Sequence, residues 1–62
     1  MLLKTYIDTR TNMAADIHVK RDGRFIVSLR DIDSGMVFDR KRIFSSENMA
    51  HDYARHLANI HQ

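Results

Sequence analysis

The chain has no cysteine, no proline and no tryptophan, and only two glycines among its 62 residues. Without cysteine there can be no disulfide staple, no thiolate metal site and no thiol nucleophile. Two glycines, each inside a turn-like stretch, leave no glycine-rich loop to cradle a phosphate. No apolar run approaches the roughly 20 residues that a membrane span needs. Met1-Leu2-Leu3-Lys4 is too short to be the apolar stretch of a signal peptide. A strong excess of one charge is also missing. Ten Lys+Arg face eight Asp+Glu, a net of +2 with a pI near 9.4, well short of a histone-like balance. A cysteine-free chain of this kind fits a reducing cytoplasm.

Size sets a further limit. A chain this short makes one small domain, residues 1–62, and buries only about 60% of its unfolded surface. Its large apolar residues are needed for the core, so few remain to line a substrate pocket. The expectation is a non-enzymatic binding protein without cofactor or metal.

The residues that are present alternate. Met13, Ala15, Ile17 and Val19 interleave with Ala14, Asp16, His18 and Lys20, and Phe25, Val27 and Leu29 interleave with Arg24, Ile26, Ser28 and Arg30. A period of two reads as a half-buried strand. A two-residue turn at Asp22-Gly23 would mix polar and apolar residues on both faces. A three-residue turn puts Val19 opposite Phe25, Ile17 opposite Val27 and Ala15 opposite Leu29, which makes one clean apolar side. It calls for a type I turn with Gly23 left-handed in a bulge. Leu2 to Asp8 reads as a further strand. Met36 to Ile43 reads as the last one, with a bulge near Asp39-Arg40 bringing Phe38 and Ile43 to one face.

Ser45 is the expected N-cap of a helix over 46–60, with Glu47 in its first turn and Phe44 stapled to Met49. Met49, Tyr53, Leu57 and Ile60 form its apolar stripe, with Ala50 and Ala54 beside it and His51, Asp52, Arg55 and Asn59 facing away. The fold class is therefore α+β: a four-stranded antiparallel meander, strands near 2–8, 13–20, 24–31 and 36–43, with one C-terminal helix packed on one face. The expected core is Ile17, Val19, Phe25, Val27, Leu29, Tyr53, Leu57 and Ile60.

Candidate chemistry is sparse. His51, His56 and His61 are spaced by five, which splays them around a helix, whereas paired metal ligands sit at i, i+4. Asp31, Asp33 and Gly35 resemble the start of a calcium loop, but the glycine comes one place early and the closing glutamate is missing. Ser45 and Ser46 read as caps. Two basic clusters remain, Lys20-Arg21-Asp22-Gly23-Arg24 and Arg40-Lys41-Arg42. Lys20, Arg24 and Arg30 share one expected sheet face with Asp16, His18, Ile26 and Ser28; cations on one surface are what phosphate contacts require, and Asp16, Asp31, Asp33 and Asp39 dilute their field.

The run Asp22-Gly23-Arg24-Phe25-Ile26-Val27-Ser28-Leu29-Arg30-Asp31, then Arg40-Lys41-Arg42-Ile43-Phe44-Ser45-Ser46-Glu47-Asn48-Met49-Ala50, then Tyr53-Ala54, resembles the arm-type DNA-binding domain of phage integrases. Those domains are three-stranded sheets backed by a helix. The additional strand at Leu2 to Asp8, and Phe25 where they carry Trp, are departures. The resemblance implies DNA read by the sheet face opposite the helix, through Lys20, Arg21, Arg24, Ile26, Ser28, Arg30, Arg40 and Arg42. In size and general character the chain also looks like small phage-encoded inhibitors such as anti-CRISPR proteins. That likeness implies a protein partner, a host nucleic-acid-binding complex, with Tyr6, Ile26 and Ile32 as exposed anchors. The partner is thus DNA or such a complex, with no membrane contact, and the oligomeric state is open.

Overall fold

A computed structural model of the chain describes residues 1–38 and 41–59. Its elements are β1 (Leu2–Asp8), β2 (Met13–Val19), β3 (Phe25–Asp31), β4 (Arg42–Phe44) and α1 (Glu47–Leu57). The strands form one antiparallel sheet in the order β1-β2-β3-β4, and α1 packs on one face of it. This is the ββββα architecture that the alternation calls for.

The β2–β3 hairpin takes the register that keeps the faces pure: Val19 pairs with Phe25, Ile17 with Val27 and Ala15 with Leu29. Gly23 N donates to Lys20 O at 3.0 Å, and Gly23 stands at φ +86°, where a side chain would be strained. The three-residue loop with a left-handed glycine is therefore present. In the next turn, Asp31 accepts from Asp33 N and Ser34 from Met36 N, the side-chain turn chemistry expected of Asp and Ser.

The fourth strand departs from its expected 36–43 span. Val37 forms an isolated bridge to Arg30, and regular pairing resumes only at Arg42–Phe44. The pairing partners explain the break. Val37 and Ile43 are six residues apart, but their partners Arg30 and Ile26 are four apart, so two surplus residues interrupt the ladder. The bulge expected at Asp39-Arg40 lies outside the described residues. Ile43 pairs with Ile26 on the face away from the helix and does not join the core.

The helix begins one residue later than expected. Ser46 is the N-cap, its Oγ accepting from Met49 N at 3.4 Å, so Ser45 is not. The one-place shift removes Met49 from the staple position, and Met49 is exposed. The helix ends at Leu57 rather than at 60, because Asn59 turns left-handed at φ +57°. Ile60 lies outside the described residues.

The core is thinner than the expected set. Ala50 and Ala54 on the buried side of α1, and Ala58 at its C-cap, meet Ala15, Ile17 and Val27. Tyr6, Phe25, Leu29, Phe44, Tyr53 and Leu57 wrap around this centre and are only partly buried. Val19 stays half-buried outside it. Alanine lets helix and sheet approach closely, and among the described residues the fully buried large side chains are two, Ile17 and Val27.

Candidate binding surface on the open sheet face

The pleat sends alternate residues of each strand to the face that α1 leaves uncovered. Pairing places Leu2, Thr5 and Ile7 of β1, Ala14, Asp16 and His18 of β2, Ile26, Ser28 and Arg30 of β3 and Ile43 of β4 there, with Val37 opposite Arg30.

Its centre is polar and closed. Asp16 is buried, and its carboxylate accepts from Thr5 Oγ1 at 2.7 Å, Arg30 Nε at 2.8 Å and Arg30 Nη2 at 3.3 Å. Burial pushes the Asp16 carboxyl up, but the hydrogen bonds from Arg30 and Thr5 and the Arg30 charge outweigh it and hold the pKa below its usual 3.8. The same hydrogen bond and charge raise the Arg30 pKa. No buried side-chain nitrogen or oxygen among the described residues lacks a partner.

The surround is apolar and open. Leu2, Ile7, Val37 and Ile43 are 54%, 55%, 48% and 51% exposed, with Ile26 and His18 half-buried between the strands.

The anticipated cationic face is taken apart by local pairing. Arg30 is committed to Asp16. Arg24 binds Asp22 at 2.8 Å and Lys20 lies 3.9 Å from the same carboxylate, so one carboxylate is shared by two of the three cations at the hairpin tip, which keeps a net of +2. Hydrogen bonds from Arg24 hold the Asp22 pKa below its usual value. Ser28 is buried and out of reach of a flat ligand. Arg21 is exposed at the tip and makes no ion pair among the described residues. Arg42 pairs with Val27 and therefore belongs to the helix side, where its guanidinium lies 5.8 Å from the Phe44 ring and 5.3 Å from the Tyr53 ring. Arg40 lies outside the described residues. Of the eight basic-face candidates, Ile26, Ser28 and Arg30 share the open face, Lys20, Arg21 and Arg24 gather at the tip, and Arg42 stands apart.

The anchor expected at Tyr6 is corrected too. Tyr6 pairs with Ala15, so it points toward α1 and is half-buried against the core. Its Oη is 2.7 Å from His51 Nδ1, and His51 Nε2 is 3.4 Å from Glu47 Oε2. In the neutral Nε2–H tautomer, His51 accepts from Tyr6 and donates toward Glu47, a clasp between the edge strand and the helix. His51 therefore turns toward the sheet, contrary to the expected outward face. A second clasp joins the far ends of the same elements: Asn59 Nδ2 donates to Asp8 Oδ2 at 2.7 Å. Ile32 is half-buried, its N–H donating to Asn12 O.

The residues that the sequence reading overlooked are Leu2, Ile7, Val37 and Ile43. A signal for one existed: adjacent Tyr6 and Ile7 cannot both face the core of a pleated strand. Among the described residues no three metal-ligating side chains converge, and no helix is long and apolar enough to cross a membrane. Comparison with protein-family models, with curated proteins and with solved structures finds no match to this chain.

Proposed function

We propose that the chain is a small non-enzymatic binding protein that works by protein contact through the open face of its sheet. One observation carries this reading: the exposed Leu2, Ile7, Val37 and Ile43 surround an electrically balanced centre on a single face. Exposed apolar side chains gathered on one face are candidate anchors for a protein partner. The reading sits within the small-inhibitor class and the cytoplasm. The net charge of +2 does not imitate nucleic acid, so a target would be engaged through the apolar residues rather than by charge mimicry.

DNA binding is the competing reading. Exposed Arg21 at the hairpin tip and exposed Lys41, neither ion-paired among the described residues, favour it. It requires cations directed at phosphates, and on the open face Arg30 already serves Asp16. A pull-down from cell lysate, halved and treated or not with nuclease, separates the two. Protein retained after nuclease, and lost with Ile43→Asp, supports the protein reading. Retention of nucleic acid alone, weakened by Arg21→Ala and by salt, overturns it.

A further inference from the structure

We infer that the open sheet face is covered by a second copy of this chain, in a weak twofold dimer packed sheet to sheet. The inference rests on the reading of that face as a protein-binding surface and names its occupant.

Three features point to a second copy. The first is the shortage of core. Among the described residues only Ile17 and Val27 of the large side chains are fully buried, and oligomerising is one of the ways chains of this size reach adequate stability. The apolar side chains missing from the covered face are on the open one, where a partner would bury them.

The second is charge. A twofold interface sets a patch against itself, so any net charge at its centre repels its own copy. Here the single buried carboxylate is matched by Arg30, and Thr5 completes its hydrogen bonds. A cationic or an acidic partner finds no complement at that centre, whereas an identical surface meets no opposition there.

The third is extent. Three strands of seven residues, by their rise and spacing, make a face of about 23 by 14 Å, with the three-residue β4 added at one edge. Two such faces bury roughly 800 Å² in total, which is below the standard size and belongs to weak associations. That extent fits a weak dimer, with two sheets stacked about 10 Å apart.

The edges favour stacking over sheet extension. At one edge β4 is three residues long, and at the other β1 carries Lys4 and a register shift between Leu2 and Lys4. Short, bulged and lysine-bearing edges resist pairing with another strand.

The test is sedimentation equilibrium of the whole chain from about 1 to 300 µM, a range bracketing that size class. The weight-average mass should climb from 7.3 kDa toward twice that value. Added salt should leave association unchanged or strengthen it slightly, because each copy carries +2. Ile7→Asp and Ile43→Asp should each weaken association at least tenfold. Met49→Asp, at an exposed apolar residue on the helix, should leave it unchanged. Chemical-shift changes on diluting the unaltered protein should concentrate at Leu2, Ile7, Ile26 and Ile43, a readout that needs no variant to fold.

A mass that stays at 7.3 kDa at the highest concentration overturns the dimer. So does equal sensitivity to Ile7→Asp and Met49→Asp, or shifts confined to β1 and β4 backbone amides. If the chain is monomeric yet Ile43→Asp abolishes capture of a lysate protein, the dimer fails and the protein-binding reading stands. If Ile43→Asp changes neither association nor capture, both fail.

Discussion

Ile17 and Ile7 are the same residue on neighbouring strands, facing opposite ways. Ile17 on β2 is fully buried under α1, whereas Ile7 on β1 is 55% exposed beside Ala14. The two sheet faces differ in the same manner throughout. The covered face holds small and aromatic groups pressed against Ala50, Ala54 and Ala58, with its polar contacts at the rim: Tyr6 to His51 and Asp8 to Asn59. The open face reverses that order, with the ion pair in the middle and the apolar groups around it. Position within a face, more than composition, thus separates the part that folds the chain from the part proposed to meet a partner.

The sharpest break of the covered face is Ile17→Ala. Removing a fully buried isoleucine costs about 2–5 kcal/mol, comparable with the whole stability of so small a domain. Urea titration followed by circular dichroism should find the variant largely unfolded at 25 °C. Leu57→Ala should cost less, about 1–2 kcal/mol, because Leu57 lies at the margin of the core and is only partly buried. Equal losses at the two positions would contradict the alanine-centred core. The reverse change, Ala54→Leu, pushes a larger group into the closest approach of helix and sheet and should cost about 1–3 kcal/mol.

The open face breaks at its ion pair. Asp16→Ala leaves Thr5 and Arg30 without their acceptor and should cost about 1–3 kcal/mol. The effect has a pH signature. The folded-state pKa of Asp16 lies below the unfolded 3.8, so the unfolded chain binds more protons between the two values. The stabilisation is present above pH 3.8 and drains away as pH falls through the folded value. Asp8 behaves alike, its pKa lowered chiefly by the Asn59 hydrogen bond against an opposing burial effect. Thermal melts from pH 6 to about pH 2 should therefore fall in the acid range, and Asp16→Asn should flatten that fall. A melting temperature independent of acid would remove the ion pair from the list of stabilising contacts.

Local pattern made the covered face readable, while the open face turned on long-range pairing. Val19, Phe25, Ile17 and Val27 declare their register because only one turn length keeps them on one side. Parity and the expected β2–β3 register already put Asp16 and Arg30 on one face, but not the burial of Asp16 or its uptake of the Arg30 charge. Without that pairing, Lys20, Arg24 and Arg30 read as a cationic strip. The β1 register decided the rest. With Tyr6 opposite Ala15, Tyr6 goes to the helix and Ile7 to the open side, an outcome that the run Leu2 to Asp8 does not encode in its own alternation. Two serines in succession left the helix cap ambiguous by one place, and that place moved Met49 out to solvent. The two surplus residues before β4 follow from the partners Arg30 and Ile26, which no reading of residues 36–43 alone contains.

The smallest expected effect is the most discriminating. Ile7→Ala removes the same atoms as Ile17→Ala, but from a side chain that is already half in water, so little transfer free energy is lost and no cavity forms. Measured below about 1 µM, where a weak dimer is dissociated, the variant should differ from the unaltered chain by only about 0.5 kcal/mol. That remainder reflects the poorer fit of alanine to a pleated strand. At several hundred micromolar the comparison should change. The unaltered chain gains stability from its own association, by mass action, and the variant gains less. The gap between their melting temperatures should therefore widen with concentration for Ile7→Ala and stay constant for Leu57→Ala, whose side chain is turned to the other face. A gap that is large at the lowest concentration would mean that Ile7 belongs to the folding core. A gap that is small at every concentration would mean that nothing of this chain's own covers the open face.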